Sequence, residues 1–162
     1  MNKVSHDSET PAEGKQVITA CAFIHQEFDG VEKVFLPKRA ATKKFLPNIF
    51  EIPGGHIDFG EDVVAGLKRE IMEEVGMNVS VGDPYAVFTY TNEIKGSHSV
   101  EAVYFARFTD SLENIRLIPE DHSEYIWASR EEIPEVGSIS AEEKRNVEKG
   151  FALLAGEAHD FG

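Results

Sequence analysis

The apolar positions of this chain change period along its length. Between residues 16 and 28 the run QVITACAFIHQEF is apolar on both alternating faces, the pattern of a strand covered on each side. Asp29-Gly30 supplies a tight turn into EKVFLPKR, so the two runs predict a hairpin. Pro37 and Pro47 punctuate a polar segment, and IFEIPGG reads as a short extended piece stopped by Pro53 and two glycines. From Glu61 onward Val64, Leu67, Ile71 and Val75 recur at helical spacing. This segment opens with acids and closes at Gly76, which predicts a helix with both ends marked.

Beyond that helix, MNVSVG, PYAVFTYT, HSVEAVYFARF and EYIWAS are rich in Val, Tyr, Phe and Thr and are separated by turn residues, so each predicts a strand. Ser140, with Glu143 three residues later, is an N-cap signal for a second helix running to about Leu154. Strands, helix, strands, helix, with no internal repeat, imply an α+β fold built on a mixed sheet. A chain of 162 residues suits one such domain, expected over 15–156 between polar tails at 1–14 and 157–162.

Composition narrows the setting. The apolar share of 41% and charged share of 28% are those of a soluble globular protein. No apolar run is long enough to span a bilayer, and MNKVSHDSETPAEGKQ lacks the apolar core of a secretory signal. The single cysteine, Cys21, cannot form an internal disulfide, so a cytoplasmic location is expected; within VITACAFI it reads as a buried, inert thiol. A net charge of -13 disfavours non-specific binding to nucleic acid. A phosphate-bearing small molecule stays compatible with that charge if a metal ion supplies positive charge. Residues 33–44 run against the trend, with five basic residues and no acid.

Three carboxylates concentrate the chemistry. Glu70, Glu73 and Glu74 stand at i, i+3 and i+4, on one face of the first helix and away from its apolar stripe. Oxygen-only ligands would select a hard cation such as Mg²⁺ or Mn²⁺. A solvated acidic face has the same spacing, so the triplet alone leaves both readings open.

The surroundings of the triplet are more specific. GHIDFGEDVVAGLKREIMEEVGM runs from Gly55 through Glu61, Arg69-Glu70, Glu73-Glu74 and Gly76 to Met77, and it matches the Nudix box at every defined position. The chain therefore resembles the Nudix hydrolase family, with FEIPGGHID similar to the segment that introduces the box and EYIWAS to a late strand of the fold. The resemblance implies an α/β/α sandwich and metal-assisted attack of water on a phosphorus of a nucleoside diphosphate linked to a group X. It implies Glu70, Glu73 and Glu74 as metal ligands and catalytic residues, with the Gly55 carbonyl as a further ligand. Glu61, Arg69 and Gly76 would hold the box together. Gly54 and Gly55 would let backbone come close to metal or phosphate.

Two expectations reach outside the box. Among Lys38, Arg39, Lys43 and Lys44, Arg39 is the preferred contact to phosphate or nucleotide. Among the acids of PEDHSE, Glu120 ranks first as general base over Asp121, His122 and Glu124. The leading substrate reading is a (d)NTP or an oxidised nucleotide, with a nucleoside diphosphate sugar hydrolase or a catalytically silent nucleotide-sensing domain as alternatives. The proline of many ADP-ribose hydrolases is Asn92 here, Tyr90 falls short of the tyrosine of the dinucleoside polyphosphate group, and no coenzyme A signature precedes the box. The implied partner is a nucleotide-like small molecule, with neither nucleic acid nor membrane, and a homodimer is left open.

Overall fold

The computed structural model of the protein describes residues 13–157. The tails expected at 1–14 and 157–162 fall outside these residues apart from positions 13, 14 and 157. Gly14 is tied in, since its N–H donates to the Gly96 carbonyl at 3.1 Å.

Strands β1 (Gln16–Phe28) and β2 (Val31–Arg39) form the expected hairpin, with Asp29 and Gly30 both at positive φ in the turn. They are followed by β3 (Gly54–His56), α1 (Val63–Val75), β4 (Val79–Asn92), β5 (Ser97–Phe108), β6 (His122–Ser129) and α2 (Ala141–Leu154). The sheet order is β4-β5-β1-β2-β6, with β3 paired to β1. β1 runs parallel to β5 and antiparallel to β2 and β3, so the sheet is mixed.

Alternation along β1 assigns its side chains to two cores. Cys21 and Phe23 join Ile52, Val103, Val147 and Phe151 on the α2 face. Ala20, Ala22 and Ile24 join Leu67, Ile71 and Val75 on the α1 face. A sheet covered by one helix on each side is the α/β/α sandwich that the sequence implied. Leu67, Ile71 and Val75 are fully buried, and each contributes roughly 1.5–3 kcal/mol of apolar transfer.

Two strand boundaries differ from the sequence reading. MNVSVG and PYAVFTYT are one continuous strand, β4, whose register against β5 shifts on either side of Pro84. Proline removes a ladder donor but is accommodated at such an irregularity, so Pro84 shifts the register of the strand rather than ending it. The glycines after Pro53 do not stop the extended piece either. Gly54 and Gly55 pair with Cys21 and Ala20, because a side chain at 54 would overlap the Ala20 carbonyl oxygen and glycine lets the strands close.

Candidate active site

Helix α1 carries the acids and is capped at both ends. The Asp62 side chain accepts from the Ala65 N–H at 3.0 Å, and Gly76, at φ 68°, donates its own N–H to the Met72 carbonyl. The closed C-terminus fixes the turn that holds Glu73 and Glu74. Gly66 is needed where the loop folds over the helix, since a Cβ there would lie 2.7 Å from both Glu61 and Ile57.

Arg69 organises the box. Its Nε and Nη2 donate to the two Glu61 oxygens at 2.7 and 2.9 Å, and Nη2 also donates to the His56 carbonyl at 3.1 Å. Nη1 reaches Glu70 at 3.0 Å and Glu73 at 3.3 Å. Glu61 in turn accepts from the Asp58 N–H at 3.0 Å, which fastens the loop between Gly55 and the helix. The Glu61 carboxylate is the largest influence holding the Arg69 guanidinium above its ordinary range.

Glu74 is placed differently from its two neighbours. One of its carboxyl oxygens is buried with no hydrogen-bond partner among the described residues. Burial raises its pKa well above the usual carboxylate value, and the charges of Glu51, Glu70 and Asp121 raise it further against the opposing pull of Arg39. Glu70 is also buried and lies against Gly55, where a Cβ would come within 2.5 Å of its carboxyl. The Gly55 backbone and the Glu70 carboxyl are thus close neighbours.

Among the described residues, no three carboxyl, thiol or imidazole groups stand ready at metal-ligating separation, and Glu70 and Glu73 are turned to Arg69. The donor chemistry nevertheless fits a divalent cation. The groups are carboxylates, their charges are mutually unfavourable, and one buried oxygen is unsatisfied, which is the arrangement a hard cation relieves.

The residues outside the box are distributed unevenly. Arg39 is buried; it donates to the Phe45 and Leu46 carbonyls and lies 3.2 Å from Glu51, at the edge of a cavity bounded by Gly54. Glu120 is exposed on the turn before β6. The loop acid whose charge acts on Glu74 is Asp121, which is bridged to Lys43 at 2.8 Å. Lys38 sits over the Phe50 ring, 5.4 Å from its centroid.

Sequence reasoning missed Glu51 and Glu101, took Glu143 only as a helix-cap residue and weighed His122 only as a candidate base. His122 is buried with neither ring nitrogen hydrogen-bonded among the described residues, and its Nε2 is 3.8 Å from Glu51. A signal existed for Glu101, because Ser97, Ser99 and Glu101 share the inward parity of Val103 on β5, an unusual row of polar residues facing a core.

Residues 15–149 match the family described as the NUDIX domain. The chain belongs to the Nudix family of hydrolases. Nudix relatives include the m7GpppN-mRNA hydrolase NUDT17 of Danio rerio, 35% identical over 77 residues that make up 48% of this chain and 24% of the relative. The 8-oxo-dGTP diphosphatase of Buchnera aphidicola (Schizaphis graminum) is 38% identical over 47 residues, 29% of this chain and 35% of the relative. The chain therefore spans about a quarter to a third of the length of these relatives. The Nudix fold also matches a MutT protein from Methanosarcina mazei, with TM-score 0.70 and 22% identity over 93% of this chain and 99% of that one. An Ap4A hydrolase from C. elegans superposes with TM-score 0.70 and 24% identity over 86% of this chain and 98% of that one. Among the described residues, no helix is long and apolar enough to cross a membrane.

Proposed function

We propose that the protein is a metal-dependent pyrophosphohydrolase that cleaves a diphosphate linkage in a nucleoside diphosphate-X substrate, with a (d)NTP or an oxidised nucleotide as the leading class. The observation that carries the reading is the Glu74 carboxyl, buried near the charges of Glu51, Glu70 and Asp121 with an unsatisfied oxygen, on the helix that also carries Arg69, Glu70 and Glu73.

Glu70, Glu73, Glu74 and the Gly55 carbonyl would hold Mg²⁺ or Mn²⁺. When bound, such a cation supplies charge neutralisation for the phosphates and acidifies a water. The chain's own residues do the rest. Arg69 restrains Glu70 and Glu73 through its fork on Glu61, which would limit the positions from which these acids could hold a cation. Gly54 lines the adjoining cavity with bare backbone, where a phosphate would approach. Arg39 lines the adjoining cavity and offers its guanidinium to a nucleotide from there.

Two loop acids are candidates to take a proton from water. Glu120 is exposed, whereas the charge of Asp121 reaches Glu74, which favours Asp121. A cytoplasmic setting and a small-molecule partner suit the acidic composition. The substrates named for the relatives, m7GpppN, 8-oxo-dGTP and Ap4A, differ in base and in the group attached, so kinship leaves the base open.

A panel of nucleoside triphosphates, nucleoside diphosphate sugars and dinucleoside polyphosphates, incubated with Mg²⁺ and resolved by anion-exchange chromatography, tests the reading. Release of a nucleoside monophosphate with pyrophosphate from a triphosphate is expected. Tight nucleotide binding with no turnover under Mg²⁺ or Mn²⁺ would contradict it and favour a sensing domain.

A further inference from the structure

The cavity bounded by Gly54, Arg39 and Glu51 has an unusual lining. Phe88, Tyr90, Phe45 and Ile52 form apolar walls, while Glu101 on β5 and Glu143 on the first turn of α2 supply acid beside Glu51 and Glu142. Phe45 and Tyr90 are nearly parallel, at 16° and 6.1 Å between centroids. At about 180 Å³ the cavity is smaller than the roughly 300–1,000 Å³ that encloses a whole drug-sized ligand, so one ring system is its natural content.

The acids are held in place by donors and retain acceptor capacity. Glu101, 8% exposed, accepts from Thr19 Oγ1 at 3.1 Å and from the Cys21 thiol. Glu143 accepts from the Ile52 N–H. Its sequence position predicts a capping box, in which the side chain would turn back to Ser140, but its backbone N–H takes the Ser140 hydroxyl and its carboxyl contacts Ile52 at the cavity. A carboxylate offers about four lone-pair sites, so these partners do not exhaust either group. Arg39, the cationic side chain of the lining, is engaged by Glu51 and by loop carbonyls. Burial pushes Glu101 up to about 7, and burial followed by the Glu101 charge pushes Glu143 up as well. A hydrogen-bond donor is the ligand whose arrival offsets the cost of ionising them.

A flat ligand that presents adjacent N–H donors meets every one of these features. Adenine offers a donor beside an acceptor, and the acceptor would face a carboxylate. Guanine offers N1–H and a 2-amino group side by side, a bidentate match to acids. We propose that this cavity is a base pocket for a guanine-type ring, with Glu101 and Glu143 accepting from N1–H and the 2-amino group and with Phe88 and Tyr90 of β4 lining one side. The proposal rests on the nucleotide-hydrolase reading above and adds the base and the residues that select it.

The test uses binding of nucleoside monophosphates to the full chain in Mg²⁺; these carry no diphosphate linkage to cleave, so the readout does not depend on turnover. Calorimetric titration of GMP, IMP and AMP is expected to give GMP an affinity at least about tenfold above that of IMP, which lacks the 2-amino group, and above that of AMP, because unpaired buried acceptors penalise the poorer donor. Glu143→Gln and Glu101→Gln, each checked for native circular dichroism, are expected to narrow that ratio to within about twofold; if one fails to fold, the other carries the comparison. Equal affinity for the three monophosphates, or an undiminished GMP preference in the folded variants, overturns the proposal. Guanine selection without hydrolysis of any panel member would instead overturn the enzymatic reading and leave the pocket standing.

Discussion

Arg69 grips Glu61 with two parallel hydrogen bonds, Nε to Oε2 at 2.7 Å and Nη2 to Oε1 at 2.9 Å, across the loop that separates the glycines of the box from its acids. The same guanidinium touches Glu70 and Glu73 through Nη1. One side chain therefore ties the folding of the loop to the direction of two candidate ligands. Arg69→Lys keeps the charge but loses the fork, and it is expected to cost about 1–2 kcal/mol, a drop of a few degrees in melting temperature for a domain of this size. Thermal unfolding followed by circular dichroism measures it; an unchanged melting temperature would show that the fork is dispensable.

The unsatisfied oxygen of Glu74 predicts an inverse relation between stability and activity. Without divalent cation, Glu74→Gln removes a charge repelled by Glu51, Glu70 and Asp121, so melting in EDTA should rise by a few degrees while turnover falls at least about a hundredfold. Mg²⁺ should raise the melting temperature of the wild type and leave the variant nearly unmoved. A variant less stable than wild type in EDTA would mean that Glu74 is satisfied by something else.

Adjacent glycines should fail in different ways. A Cβ at Gly55 meets the end of the flexible Glu70 side chain, whereas one at Gly54 runs into the backbone of Ala20 and Cys21. Gly55→Ala is therefore expected to fold with reduced activity, and Gly54→Ala to lose β1–β3 pairing and much of its soluble yield. Expression, circular dichroism and nucleotide turnover on both variants check the contrast, and equal behaviour would contradict it.

Glu101 gives a pH dependence with a definite sign. Its folded pKa, about 7, lies above the ordinary 4.5, so between those values the folded chain keeps a proton that the unfolded chain has released. Stability from this group therefore falls as pH rises from about 4.5 to 7, by on the order of 3 kcal/mol in total. Glu143, raised in the same direction, adds to the trend, while Glu51 and Glu142 supply like charge nearby. Melting temperatures from pH 4.5 to 7.5 should show the wild type losing ground to Glu101→Gln, and a constant gap between the two would count against the buried acid.

The parts of this fold that were readable in the sequence are those fixed by local periodicity and caps. The β1–β2 hairpin, α1 with Gly76 at its end and α2 beginning after Ser140 follow from spacing and terminal residues alone. The continuity of β4 through Pro84 and the entry of Gly54 into a ladder did not, because both depend on the strand that lies alongside. The site divides in the same way. Glu70, Glu73 and Glu74 share a helical turn and announce themselves, whereas Glu51, Glu101 and Glu143 come from three distant segments that the sheet brings to one cavity. The inward parity of Glu101 was the readable clue; Glu143 was masked by its capping position.

Calorimetric titration of Mn²⁺ into wild type and into a folded Glu73→Gln, Glu74→Gln double variant, each in the presence of a non-hydrolysable nucleotide, reads the metal site itself. Saturable binding by the wild type and its loss in the double variant are expected. Equal Mn²⁺ affinity in the two proteins, or no binding by either, would contradict the assignment of these acids as the metal site.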